Sequence, residues 1–153
     1  MRPQEKPITD RKILHDLLRE AMILHLGLSD EGIPYIVPLN FVFFYDRLYF
    51  HSSPIGRKME ILSRNPRVCF EVESEVEVVP ADDACDWGMR CRSVIGEGVA
   101  MRVEDEEEKR VALQALMRKY SGRSDWTFSL DQVQKVAVIR VRITEIGGRE
   151  SGY

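Results

Sequence analysis

"LYFHSSPIGRKMEIL", residues 48–62, runs an apolar strand into a histidine and two serines, turns through Pro54 and Gly56, and opens a helix on two cations. A helix start ordinarily prefers acidic side chains, because its free N–H groups already carry partial positive charge. Arg57 and Lys58 worsen that electrostatic balance unless an anion lies among them. The amides of the helix start, the hydroxyls of Ser52 and Ser53 and the two cations would together suit a phosphate dianion. The stretch is not a P-loop, since G-x-x-x-x-G-K-[ST] is absent and Gly56 precedes arginine. A basic helix start exposed to water is the competing reading, and these residues alone leave both open. His51 by itself reads first as a structural strand-end histidine.

Upstream, residues 8–21 place Ile13, Leu14, Leu17, Leu18 and Ala21 on one helical face, with Thr9 as N-cap and Ile8 and Ile13 forming a hydrophobic staple. "MILHLGLS" is a short strand and "SDEG" a turn closed by Gly32. "IPYIVPLNFVFF" (residues 33–44) reads as one long strand, in which Pro38 marks an edge, a bulge or a ligand-facing point because it cannot donate to a ladder. "YDR" then makes a hairpin into residues 48–52. The helix begun at Arg57 ends before Pro66, since Asn65 avoids the α region, and Ile55, Met59 and Leu62 are spaced to cover a sheet.

Downstream, "RVCFEVESEVEVVP" puts Val72, Val76 and Val78 on one face of a strand and Glu71, Glu73, Glu75 and Glu77 on a solvated one. In the strand that follows, Gly96 and Gly98 mark a bend or close approach. "EDEEEKRVALQALMRKYSGR" is a helix with acidic start and basic end, as the macrodipole prefers, and Gly122 is its C-cap. "VAVIRVRITEI" is a last strand. The pattern is mainly β with added helices: about six strands, mostly hairpin-connected, and three helices in a small barrel. One domain spanning residues 1–153 is expected, with frayed ends at about 1–7 and 147–153.

Composition narrows the function. A net charge of -3 does not suggest general nucleic-acid binding, so any anion site is expected to be local. No apolar run reaches the ~20 residues of a membrane span, and residues 1–10 carry no secretory h-region. Three cysteines without paired spacing are expected to be reduced thiols in a cytoplasmic protein, with no metal site.

Two further stretches carry candidate chemistry. "YIVPLN" can present backbone groups and the Asn40 amide to a flat polar ring, or can simply be an edge strand with a hydrogen-bonded asparagine. In "CDWGMRCRSVIGEG", Trp87 and Met89 could pack on a ring while Arg90, Arg92 and Ser93 contact its polar edge or phosphate. A tryptophan is more commonly core.

"VPLNF", "LYFHSSPIGRKMEIL", "NPRVCFEV" and "CDWGMRCRSVIGEG", in this order over most of the chain, resemble the pyridoxamine 5′-phosphate oxidase-related flavoproteins, nearest to the nitroimidazole-resistance (Nim) branch. The resemblance implies an FMN-binding split β-barrel, with antiparallel strands and a homodimer holding flavin at the subunit interface. It implies that Val37, Pro38, Leu39 and Asn40 line the isoalloxazine, and that His51 and Ser52 close the next strand. Arg57 and Lys58 would grip the FMN phosphate, with Arg92 and Ser93 at a further flavin contact. The chain lacks the C-terminal tryptophan and arginine of the pyridoxamine oxidases and has Asn40 where they use a lysine, so their own reaction is not implied. The expected function is an FMN-dependent reductase passing electrons from a small-molecule donor such as NAD(P)H to nitroaromatics or quinones, without an assigned catalytic base. The alternative is a non-catalytic flavin or haem carrier or sensor, with His51 or His25 as axial ligand.

Overall fold

In the computed structural model, residues 5–153 are described, and the first four residues of the segment expected to fray lie outside them. In chain order the elements are β1 (Glu5–Ile8), α1 (Arg11–Glu20), β2 (Leu24–Asp30), β3 (Ile33–Leu39), β4 (Val42–Phe44), β5 (Arg47–Ser52), α2 (Arg57–Arg64), β6 (Arg67–Val79), a 3-10 turn (Ala84–Asp86), β7 (Gly88–Arg102), α3 (Glu106–Ser121), α4 (Leu130–Lys135) and β8 (Ala137–Ser151). The eight described strands form one antiparallel sheet in the order β3-β2-β6-β7-β8-β5-β4, with β1 added on β8. The expected mainly-β, split-barrel architecture holds, with two strands more than the sequence suggested.

Three differences have clear causes. The long strand expected at 33–44 is broken at Asn40 and Phe41, giving β3 and β4. β3 is the outer strand of the sheet, which lets Pro38 sit opposite His25 without a missing ladder bond on a second side. The tail expected to fray is instead the second half of β8, paired to β7 on one side and to β1 on the other. Its polar composition hid this, because a strand held between two neighbours gains its stability from backbone hydrogen bonds rather than from apolar side chains. In β6 the pleat is reset by an irregularity between Ser74 and Glu77, where Glu75 has φ 55°. Val72 is buried, whereas Val76 and Val78 are exposed, because both faces of β6 are uncovered from Glu75 to Val79.

Helix ends follow local rules. Asp10, not Thr9, caps α1 by accepting the Lys12 N–H at 2.8 Å, and Ile13 turns outward while Leu14 is buried. α2 stops at Asn65, in extended geometry before Pro66. Ile61 and Leu62 bury its apolar face, while Ile55 is outside the helix and exposed. α4 was not expected, although Ser129 and Gln132 form a reciprocal capping box.

Two apolar clusters result. In the first, Leu14, Leu17 and Leu18 of α1 pack with Phe41, Phe50, Phe70 and Ile61. In the second, Ala112, Leu113 and Leu116 of α3 and Val133 of α4 cover Val42, Tyr49 and Val138. Phe50 and Tyr49 enter different clusters because successive strand residues face opposite sides. Gly96 lets β7 approach closely: a β-carbon there would lie 2.8 Å from the Glu145 carbonyl and inside contact distance of the Phe70 ring.

Candidate functional site

The start of α2 differs from the other helix starts in its cap. α1 also opens on two cations, Arg11 and Lys12, but the Asp10 carboxylate answers them. α3 is capped by Asp105, which accepts the Glu108 N–H at 2.8 Å, and α4 by Ser129. At α2 the cap is Gly56, with φ 121° and no side chain. The Gly56 carbonyl accepts the Glu60 N–H at 3.0 Å, leaving the amides of Arg57, Lys58 and Met59 without an intrahelical acceptor. The distinguishing feature is thus the missing side-chain cap, since a cation pair occurs at α1 as well and Glu60 lies in the first turn of α2.

Both cations are oriented by aromatic rings. The Arg57 guanidinium lies over Tyr35 of β3, 4.2 Å from its centroid, and the Lys58 ammonium is 5.5 Å from the centroid of Phe50. Lys58 is half-buried, and burial pulls its pKa below the ordinary lysine value. Among the described residues neither cation makes an ion pair with a carboxylate. The arrangement can therefore take a compact dianion from above: three amides, one planar cation and one point charge.

β3 and β5 flank this cradle. Tyr35 and Val37 pack against the same cluster as Met59 of α2, and Leu39 is buried on that face. Pro38 faces the opposite way and is exposed, and Asn40 is exposed beyond the strand end. At the end of β5, His51 is exposed and Ser52 half-buried, paired with Val138 and Ala137 of β8. The Ser53 hydroxyl accepts the Ile55 N–H at 3.4 Å, shaping the turn into Gly56. A groove of about 430 Å³ runs along the flank of α2, between Ile55, Gly56 and Met59 on one side and Ala100, Met101 and Arg102 on the other.

Not every sequence candidate reaches this place. Ala100–Arg102 border the α2 groove, so Arg92 and Ser93 lie roughly 25 Å away along β7 at the strand rise. Arg92 is engaged there, with Glu75 at 3.3 Å, Glu150 at 3.4 Å and the Tyr153 ring 4.6 Å from its guanidinium. Arg90 joins Glu77 at 3.2 Å, so the outer glutamates of β6 are partly paired rather than simply solvated. Trp87 and Met89 are exposed on the distal β6–β7 arm, which overturns the core reading of that tryptophan. His25 is tied to Glu71 across β2 and β6, Nδ1 to carboxylate oxygen, at 3.0 Å.

Two contributors escaped the sequence reading. Tyr35, the platform for Arg57, had a signal in its alternation with Val37. Tyr120 of α3 accepts the Phe41 N–H at 2.9 Å and lies 2.8 Å from the Met22 carbonyl, so it fixes the break between β3 and β4. Nothing in its spacing announces that pairing, because the partners are far apart in sequence.

The pyridoxamine 5′-phosphate oxidase family profile matches residues 10–150. Among solved structures, the chain is similar to a candidate 5-nitroimidazole antibiotic resistance protein from Bacteroides thetaiotaomicron, with 34% identity, a TM-score of 0.85, and coverage of 95% of this chain and 88% of that one. It also resembles in fold a FAD and heme binding protein from Mycobacterium smegmatis (21% identity, TM-score 0.85, covering 97% and 74%). A FAD-binding protein from Mesorhizobium loti shares the fold too (23% identity, TM-score 0.72, covering 97% and 99%). No curated protein matches the chain. With nearly its whole length matched and the eight-stranded sheet in place, this chain belongs to the pyridoxamine 5′-phosphate oxidase family.

Proposed function

We propose that the protein binds FMN and works as a flavin-dependent reductase of small acceptors such as nitroaromatics or quinones. The observation that carries this reading is the α2 start without a side-chain cap, where Arg57 and Lys58 make no ion pair among the described residues. A phosphate there would accept from three amides, restore the charge balance of a partly desolvated lysine, and reach Ser52 at the end of β5. Val37 and Leu39 would support the ring through packing, with Pro38 and Asn40 offering backbone and amide groups at the strand edge, and exposed His51 near the open side. When bound, FMN supplies the redox chemistry, accepting electrons from a donor such as NAD(P)H and passing them on.

A homodimer fits the same reading. Ile36, Ile95, Trp87 and Met89 are exposed apolar residues, and Arg92 and Ser93 would complete a flavin pocket from the partner subunit rather than from their own. The fold shared with FAD and heme binding relatives supports a second reading, a flavin or haem carrier. Its test is the visible spectrum: bands near ~370 and ~450 nm identify flavin, a Soret band near ~400 nm identifies haem, and anaerobic bleaching by NADPH separates reductase from carrier. For the cradle itself, replacing Arg57 and Lys58 together by alanine is expected to weaken FMN binding about 100-fold, as the loss of two charge-assisted contacts implies. Riboflavin binding should change little. Equal losses for both ligands would sink the phosphate assignment.

A further inference from the structure

The groove along the flank of α2 opens onto the cradle, since Pro54, Ile55 and Gly56 line it where the helix begins. A β-carbon at Gly56 would meet nothing within 4 Å, so the space beside the helix start is open. At helical spacing Met59 and Ser63 lie one turn apart on one face of α2, on the side away from Arg57. Arg57 turns instead towards Tyr35 of β3, and Arg64, on that same side, bonds Asp30 of β2. β3 and the groove therefore leave the α2 start in opposite directions.

Across from α2, Ala100 and Arg102 stand two residues apart on β7 and so face the same side of the sheet, with Ile139 of β8 directly opposite Arg102. Ala100 and Ile139 are buried and make a small apolar floor, while exposed Ile55 and half-buried Met59 supply apolar walls. The polar side chains of the lining are Glu60, Ser63 and Arg102. Arg102 has a single carboxylate near it among the described residues, Glu104 at 4.0 Å, too far for a hydrogen bond. Glu60 makes no ion pair among the described residues.

At about 430 Å³ the groove is near the small end of ligand sites, a size that suits one nucleoside. A phosphate monoester in the cradle would leave this apolar slot and Arg102 unused. A molecule that continues past that phosphate would fill both.

We infer that the groove takes the adenosine half of a flavin dinucleotide, an inference that rests on the phosphate reading of the α2 start. The flavin-side phosphate accepts from the α2 amides, Arg57 and Lys58, and the second phosphate pairs with Arg102. The adenine packs on Ile55 and Met59, and the Glu60 carboxylate accepts from the ribose hydroxyls, as acidic side chains do in other dinucleotide sites.

The test is calorimetric titration of riboflavin, FMN and FAD, each separately, into the full-length protein. FAD is expected to bind at least about tenfold more tightly than FMN. Ser63→Tyr, at an exposed helix position, fills the groove and should weaken FAD about tenfold while leaving FMN unchanged. Arg102→Gln should weaken FAD about fivefold, again without effect on FMN. The Arg57→Ala, Lys58→Ala double variant should weaken both nucleotides and spare riboflavin. FAD no tighter than FMN, or FAD binding indifferent to Ser63→Tyr and Arg102→Gln, overturns the inference and leaves the FMN cradle standing. Equal losses for FMN and FAD in either groove variant overturn it too, because the groove would then not distinguish the two. If neither nucleotide binds, the reading of the α2 start fails and the inference fails with it.

Discussion

Arg57 of α2 lies over the ring of Tyr35 of β3, with its guanidinium carbon 4.2 Å from the ring centroid. This contact joins the helix that offers amides to an anion with the strand beside it, and it holds the guanidinium in place before a ligand arrives. Preorganised donors bind more tightly than flexible ones, because their ordering cost is already met. Tyr35→Leu keeps the apolar packing and removes the stacking, worth about 0.5–1 kcal/mol at an exposed site. FMN affinity should fall roughly three- to fivefold on that basis, measured by fluorescence quenching, with riboflavin unaffected. An unchanged FMN affinity would mean the ring does not position the cation.

Tyr120 carries more of the fold than its half-exposed position suggests. It accepts the Phe41 N–H and contacts the Met22 carbonyl, tying α3 to the β3–β4 break and to the segment entering β2. Tyr120→Phe leaves both groups unpartnered, at a cost of about 1–3 kcal/mol. Urea unfolding should register that loss as a lower midpoint at constant slope. A wild-type midpoint would show that water replaces the hydroxyl without penalty.

Gly96 tests the packing of the sheet. A methyl group there would press on the Phe70 ring and the Glu145 carbonyl, and neither can withdraw without moving β6 or β8. Gly96→Ala is expected to cost about 1–3 kcal/mol, the usual range for overpacking. Gly32→Ala is a useful contrast: its β-carbon meets nothing within 4 Å, but φ 83° strains the turn instead. Gly96→Ala should respond to shortening of its neighbour, so Phe70→Leu in the same chain should recover part of its loss. Strictly additive losses would exclude the clash.

Lys119 gives a pH dependence with a definite sign. Burial lowers its pKa to about 8 from 10.5. The unfolded chain therefore binds more protons than the folded one between those values, and stability from this group rises with pH across that window. Below about pH 8 both states are protonated and the burial cost is present in full. Thermal melts of the unaltered protein and Lys119→Met from pH 7 to about 10 should show the unaltered protein gaining relative to the variant. Parallel curves would mean that the lysine titrates normally.

The fold was legible wherever a local rule forces the backbone. Asn65 before Pro66 ends α2, Gly122 in left-handed geometry ends α3, and Tyr45 and Asp46 at positive φ close the β4–β5 hairpin. The sequence misled where two local rules compete. Thr9 and Asp10 are both good caps, and the structure uses the second. The alternation of β6 put Val72, Val76 and Val78 on one face but could not show that the sheet covers neither face beyond Ser74, where Val76 and Val78 are exposed.

Of the candidate site, the sequence by itself determined the amphoteric run at 50–58: hydroxyls, a residue without a side chain, then two cations, all within reach of one another because they are neighbours in the chain. Tertiary structure decided what faces them. It set Tyr35 under Arg57, left Lys58 half-buried without a carboxylate, and carried Arg92 to the far end of β7 among Glu75, Glu150 and Tyr153. It also turned the basic end of α3, which the macrodipole alone would explain, into one wall of a groove. Charge along a chain is fixed by residue order, but whether a charge is answered depends on which distant segments the sheet brings beside it.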